Sequence, residues 1–150
     1  MKISFIIPII CSILLGWIFG NFIYNQYSSI SKEYKKSETI YFLQQGVYAD
    51  DQVLKKNISN LESYTTIEDN DKYYVYIGIT NNYEDALKIK DVYKEQGYNL
   101  YIKEDKINNE FFINDLKQYS TLLKSTNDFS KLNSILKVIL ASYEENVLQT

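Results

Sequence analysis

Side chains that commonly carry catalysis are scarce in this sequence. The chain has no histidine, and its single cysteine, Cys11, lies inside an apolar stretch near the amino terminus. Nucleophile systems that pair Ser or Cys with His, and metal sites ligated by His, therefore cannot be built. Asp and Glu are available as acids and bases, but no carboxylate pair has an apolar surround that would tune its pKa. We expect a protein without catalytic activity, bound metal or cofactor.

The charged residues exclude a second class of function. Every basic residue is a lysine, and the formal net charge is −3. A chain of this kind has no phosphate-neutralising surface, and it lacks the arginine that reads base edges bidentately. We therefore expect no nucleic-acid partner.

Tyrosines and one glutamine offer a different chemistry. Gln44, Tyr74, Tyr76 and Tyr101 all fall in strand-like segments. An aromatic ring with a hydroxyl tip offers both an apolar surface and a hydrogen bond, and an amide donates and accepts. These residues form a binding surface if they share one face of a sheet. The alternative is that tyrosine simply suits exposed strands.

The elements that position these residues follow the order β-α-β-β-α-β over residues 39–104. Strand-like runs cover residues 39–48, 64–68, 72–80 and 99–103, and the third run (KYYVYIGIT) is the clearest. Helices are expected after the acidic residues at 50–51 and after the asparagines at 81–82, where the side chains can cap a first turn. The sequence predicts an α+β fold with a four-stranded antiparallel sheet of split βαβ (ferredoxin-like) topology, with both helices on one face.

Period-two alternation assigns the strand residues to the two faces of this sheet. The face towards the helices receives Leu43, Val47, Tyr73, Val75, Ile77, Leu100 and Ile102. The opposite, open face receives Gln44, Tyr74, Tyr76, Tyr101 and Lys103. Gln45 conflicts with the alternation: either a bulge near Gly46 re-aims its side chain, or the side chain finds a backbone partner.

Two further helices are predicted in residues 105–150. Phe112, Leu116, Tyr119 and Leu123 recur at helical spacing, and so do Leu132, Leu136, Ile139, Tyr143 and Val147. Residues 125–128 (STND) separate the two stripes and can cap the second helix. The stripes of this helical hairpin must be buried on each other, on the sheet or on a partner.

The amino terminus predicts a membrane anchor over residues 1–24, followed by a polar stalk over residues 25–38. Residues 3–20 carry no charge, and about 18 such residues cross the ~30 Å hydrocarbon core as a helix. A cleaved signal peptide is the alternative, but the apolar stretch exceeds a usual h-region and lacks an A-x-A-like site. Lys2 favours a cytoplasmic amino terminus, whereas the lysines at 32, 35 and 36 favour the opposite orientation.

The two halves of residues 39–104 resemble the SPOR (sporulation-related repeat) family. Residues 43–50 (LQQGVYAD) are similar to the family's first-strand pattern V-Q-V-G-A-F-S-N, with Gln44, Gly46 and Tyr48 at the Gln, Gly and Phe positions. Residues 74–97 are similar to the second repeat, with Gly78, Glu84 or Asp85, and Ala86 matched. Ile79 and Thr80 replace the usual Pro and Phe.

The resemblance implies a module that binds peptidoglycan glycan strands stripped of their stem peptides, at division or sporulation septa. The family's ligand lies on the exposed sheet face, with the first-strand Gln among its contacts. By position this nominates Gln44, and strand phase adds Tyr74, Tyr76 and Tyr101. It also implies an anchor in the cytoplasmic membrane with the amino terminus inside and the SPOR-like domain (residues 39–104) outside.

Three other functions remain open from the sequence, one of which is an intracellular small-molecule sensor domain of the same topology. The hairpin could be the working surface of an envelope scaffold or regulatory protein that contacts envelope or divisome proteins, with a degenerate SPOR-like domain. An RNA-binding domain of the same topology also presents aromatic residues on its sheet. The acidic charge, the lack of arginine and the predicted anchor argue against RNA.

Overall fold

The computed structural model describes residues 15–21, 23, 24 and 37–149. The chain divides into two units, Met1–Lys36 and Ser37–Thr150. In the first unit the described residues are helical and exposed. None of the helices in the described part of the chain has both the length and the apolar character needed to cross a bilayer. Most of the predicted anchor and the stalk up to residue 36 lie outside the described residues, so the anchor stays a prediction.

Four strands form one antiparallel sheet in the second unit. They are β1 (Glu38–Tyr48), β2 (Thr65–Asp69), β3 (Lys72–Thr80) and β4 (Tyr101–Ile107), in the order β2-β3-β1-β4. This order is that of the split βαβ arrangement. The predicted α+β class and four-stranded antiparallel sheet are therefore confirmed.

The fourth strand differs from its predicted bounds. It was expected over residues 99–103, but it runs over Tyr101–Ile107. Its second half contains Glu104, Asp105 and Lys106, which carry no strand signal of their own. Pairing with β1 from Glu38 to Gln44 supplies the backbone hydrogen bonds that extend the strand.

Two helices connect the strands at the predicted positions. Helix α1 (Asp51–Ile58) is capped by the Asp50 side chain, and α2 (Tyr83–Glu95) is capped by Asn82, whose Oδ1 accepts from the backbone N–H groups of residues 84 and 85. The β2–β3 turn uses positive φ at Asn70 (50°) and Asp71 (58°). Asn and Asp tolerate that conformation better than other non-glycine residues, which is why Asn70 and Asp71 can form this turn.

The conflict at Gln45 is settled by a β-bulge. The β1–β3 register shifts on both sides of Gln44, so that Gln44 pairs with Tyr76 while Gly46 pairs with Val75. Gln45 has no partner in this register, and its Oε1 accepts a hydrogen bond of 2.8 Å from the Tyr48 hydroxyl. The bulge, rather than a hydrogen bond to the backbone, therefore accounts for the direction of the Gln45 side chain.

The predicted hairpin is present as α3 (Glu110–Ser125) and α4 (Phe129–Tyr143), followed by a π-helical turn (Glu144–Leu148). Asn109 caps α3 and Asp128 caps α4. Most of the residues expected in the two stripes are buried: Phe112, Leu116, Leu123, Leu132, Leu136, Ile139 and Tyr143. Tyr119 and Val147 are partly buried against the same core.

The sheet and the hairpin share one core. Leu136 of α4 lies against Leu43 and Gly78 of the sheet: a Cβ atom placed on Gly78 would be 2.9 Å from a Leu136 methyl and 3.4 Å from one of Leu43. Between α2 and α4, the Tyr93 hydroxyl hydrogen-bonds the Asn133 side chain. Helices α3 and α4 are therefore packed onto the sheet and do not form a separate core.

The expectation of a fully open second face is wrong. Tyr143, at the end of α4, places its ring 5.5 Å from the ring of Phe42 and 5.3 Å from that of Phe112. Tyr76, expected on the open face, is only 2% exposed. Alternation in a strand identifies which residues share a face, but it does not identify what packs on that face. On this face the end of α4 packs on Phe42 through Tyr143.

Candidate functional site

The structure places all four predicted site residues on one face of the sheet. Gln44 pairs with Tyr76 on β3 and with Tyr101 on β4, and directly paired residues share a face. Tyr74 lies two residues from Tyr76 on the same strand, and so it points to the same side. The predicted grouping of these residues is therefore present in the structure.

The four residues differ in accessibility. Tyr101 is 65% exposed, Gln44 and Tyr74 are partly exposed, and Tyr76 is buried. Gln44 and Tyr101 thus form an open row beside the covered half of the face. Because Tyr76 is buried, its ring edge and hydroxyl can contact a ligand only where they border an opening in the protein surface.

Such an opening lies at the boundary between the covered and the open half. It is a groove of about 260 Å³, here called the tyrosine groove. Its apolar surface comes from the rings of Phe42, Tyr74, Tyr76 and Tyr143 and from the side chains of Ile67 and Leu148. Its charged groups are Lys103, Asp69 and Asp105. Rings with a few converging polar groups are the usual composition of a small-ligand site.

Lys103 is held by two of the tyrosines. Its Nζ lies 5.6 Å from the ring centroid of Tyr74 and 5.9 Å from that of Tyr76. The ammonium also donates a long hydrogen bond of 3.4 Å to the Tyr76 hydroxyl. These contacts are cation–π interactions, which orient the lysine within the groove.

The phenols of Tyr76 and Tyr143 stay protonated near neutral pH. Burial raises the pKa of Tyr76, although the nearby Lys103 ammonium opposes part of this shift. Burial raises the pKa of Tyr143 to about 12, with smaller contributions from Asp105 and Tyr76. Both hydroxyls can therefore act as hydrogen-bond donors and acceptors towards a ligand.

The raised pKa of Tyr143 predicts a loss of stability at alkaline pH. Its ionisation is harder in the folded chain (pKa about 12) than in the unfolded chain, so its contribution is complete below pH 10 and disappears as the pH rises to about 12. In Tyr143→Phe the free energy of unfolding should fall less between pH 10 and pH 12 than in the wild type. Urea unfolding at a series of pH values measures this difference.

The control is the stability of Tyr143→Phe relative to the wild type at pH 8. Phenylalanine keeps the ring contacts with Phe42 and Phe112, so the two proteins should differ little in stability there. Parallel curves from pH 8 to pH 12 would contradict the assignment of the alkaline loss to Tyr143.

The charge of the folded unit disfavours an anionic ligand. Residues 37–150 contain 12 lysines and 18 Asp or Glu residues, which gives a formal charge of −6. Within the residues that the structure describes, no three His, Cys, Asp or Glu side chains are grouped so that they could hold a metal ion. The groove therefore offers ring stacking and hydrogen bonds with a small net negative charge.

Sequence reasoning missed Phe42, Tyr143, Leu148 and Asp105 as residues of the site. Phe42 has a local signal, because alternation with Gln44 places it on the same face. Tyr143 and Leu148 have no local signal that connects them to the sheet, since their position depends on how the hairpin docks. Asp105 lies in the part of β4 that extends beyond the predicted strand.

Comparison of the chain with protein-family models, curated proteins and solved structures finds no match.

Proposed function

We propose that this protein is a non-catalytic module, tethered to the cytoplasmic membrane, that binds peptidoglycan glycan strands in the bacterial cell envelope. The observation that carries the proposal is the shared face of Gln44, Tyr74 and Tyr101 beside the tyrosine groove. This is the face on which the resemblance to SPOR domains locates the ligand. The resemblance further connects the protein with division or sporulation septa.

The chemistry of this face suits a sugar chain. A pyranose ring has an apolar C–H face and a rim of hydroxyl groups, and an aromatic ring with a polar tip matches both. Tyr101, 65% exposed, offers its ring to a sugar in the open row. The Gln44 amide, which pairs with it across the strands, can donate to and accept from the sugar hydroxyls.

The negative charge of the unit contributes selectivity. A formal charge of −6 over residues 37–150 repels anionic polymers and lipid headgroups. Within a stripped strand, the N-acetylglucosamine rings are neutral and do not suffer this repulsion, whereas each N-acetylmuramic acid carries a free lactyl carboxylate. The charge therefore favours contact with the N-acetylglucosamine rings over contact with anionic polymers.

The proposal requires the folded unit to lie outside the cytoplasm. With residues 1–24 as an uncleaved anchor and the amino terminus inside, alkaline phosphatase fused after Thr150 should be active in cells. A β-galactosidase fusion at the same position, which is the matched control, should be inactive. Active β-galactosidase with inactive phosphatase would place the unit in the cytoplasm and exclude wall binding.

A second candidate is an envelope scaffold that works through its helices. The predicted apolar stripes are inside the core, which removes most of the surface that this function would use. Phe111, at the start of α3, is 77% exposed and keeps the candidate open, because a large exposed aromatic residue suits a protein contact. This function would be insensitive to Gln44 and Tyr101, whereas glycan binding depends on both.

A further inference from the structure

We infer that the carboxy-terminal tail completes the ligand site, because Tyr143 and Leu148 form one wall of the tyrosine groove, and that the groove takes one neutral sugar ring of the strand. The inference rests on the proposed function and specifies its ligand contacts. It assigns binding residues outside the βαββαβ unit, in a segment that the family resemblance does not cover.

The wall is held in place from both sides. The Thr65 hydroxyl donates a 2.6 Å hydrogen bond to the Glu144 carboxylate, and Thr65 itself is buried. The Asn109 side chain donates a 2.6 Å hydrogen bond to the backbone carbonyl of Asn146. The π-helical turn Glu144–Leu148 is thereby fixed to β2 and to the start of α3, and π-helical turns are frequent at functional sites.

Leu148 is the accessible part of this wall. It borders the groove and is 45% exposed. Tyr143 is almost fully buried and contributes a phenol beside Asp105 and Tyr76. A ring in the groove would contact Leu148, and that contact would remove apolar surface from water.

The size of the groove fits one ring. Its volume of about 260 Å³ is below the roughly 300–1,000 Å³ of pockets that enclose drug-sized ligands. The open row continues the site: Tyr101 on β4 lies two strand spacings, about 10 Å, from Tyr76 on β3. Neighbouring units of one strand can thus occupy the groove and the row together.

The charges of the groove select the type of ring. Lys103 is the single cation among the residues that line the groove. The Lys103 ammonium already contacts two tyrosine rings and a hydroxyl. Asp69 and Asp105 add two carboxylates. A sugar that carries a carboxylate meets net repulsion there, and a neutral ring does not.

The test uses the full chain in a detergent without sugar headgroups, titrated with the neutral tetramer of N-acetylglucosamine. Leu148→Ala should weaken binding by about fivefold, since roughly half a leucine side chain loses its contact with the ligand. Leu122→Ala is the matched control, because Leu122 lies on the same hairpin, is 48% exposed and does not line the groove. It should bind as the wild type does. Unchanged or tighter binding by Leu148→Ala would overturn the inference.

A second comparison tests the charge selectivity without relying on the tail. A tetramer of galacturonic acid, which carries one carboxylate per ring, should bind at least tenfold more weakly than the neutral tetramer. The double variant Asp69→Asn/Asp105→Asn should tighten binding of the acidic tetramer and leave the neutral one within about twofold. An acidic tetramer that binds the wild type equally well would overturn the neutral-ring assignment.

These outcomes separate the inference from the proposed function. If the wild type binds stripped glycan strands and Leu148→Ala binds them equally well, only the assignment of the carboxy-terminal tail to the groove is contradicted. A wild type that binds neither the strands nor the neutral tetramer contradicts glycan binding itself.

Discussion

Leu136→Ala is expected to lower the free energy of unfolding by about 3 kcal/mol, the middle of the range for buried leucines. Leu136 has no exposed surface, and it lies between α4 and the two central strands at Leu43 and Gly78. Its loss leaves a cavity at the junction of the hairpin and the sheet. Urea unfolding of Ser37–Thr150, the unit that contains the whole described core, measures the effect.

The control and a partner variant make this prediction specific. Leu122→Ala removes a leucine of the same hairpin that is 48% exposed, so it should change stability by less than about 0.5 kcal/mol. Gly78→Ala forces a methyl against Leu136 and should destabilise by about 1 kcal/mol. In the double variant the new methyl enters the space that Leu136 leaves, so the total loss should be smaller than the sum. Additive losses would contradict the direct packing of α4 on β3.

Tyr101→Ala is expected to weaken binding to glycan strands by about tenfold, because an exposed aromatic ring in the middle of a contact commonly contributes more than 1 kcal/mol. Gln44→Ala should weaken it by about threefold, the usual net value of one hydrogen bond. Both side chains are accessible, so neither change should unfold the unit. Co-sedimentation isotherms with amidase-treated sacculi give the dissociation constants.

Tyr83→Ala is the matched control for the tyrosine. Tyr83 is 51% exposed and contacts Tyr41 at 5.3 Å between ring centroids, away from the residues that line the groove. It should bind as the wild type does. Equal binding by the Tyr101 and Tyr83 variants would contradict the assignment of the ligand to this face.

Tyr76 requires a different substitution from the other site residues. It is 2% exposed and packs its ring at 4.8 Å from that of Phe42, so alanine would remove core packing as well as any ligand contact. Tyr76→Phe removes only the hydroxyl that meets Lys103 and leaves the ring in place.

Local signals in the sequence were sufficient for the sheet and its caps. The third strand has its predicted bounds, Lys72–Thr80, because a run of β-branched and aromatic residues follows a turn that Asn70 and Asp71 form at positive φ. Asp50, Asn82 and Asp128 cap their helices as expected, because a side-chain oxygen at that position satisfies free backbone N–H groups.

Long-range packing is what the sequence did not show. The apolar stripe of α4 predicted burial, yet nothing local identified Leu43 and Gly78 as the partners of Leu136, or Phe42 as the partner of Tyr143. For the same reason the groove wall at Tyr143 and Leu148 was not foreseen. Gln45 is an intermediate example. The sequence shows that this residue conflicts with period-two alternation, but only the β1–β3 register shows that a bulge resolves the conflict.

The central claim, that this face binds glycan strands stripped of stem peptides, is tested most directly by sedimentation of Ser37–Thr150 with purified sacculi. One half of the preparation is treated with an amidase that removes the stem peptides, and the other half is left intact. The account predicts that the protein sediments with the treated sacculi and stays mainly in solution with the intact ones. Equal sedimentation with both, or with neither, would contradict it.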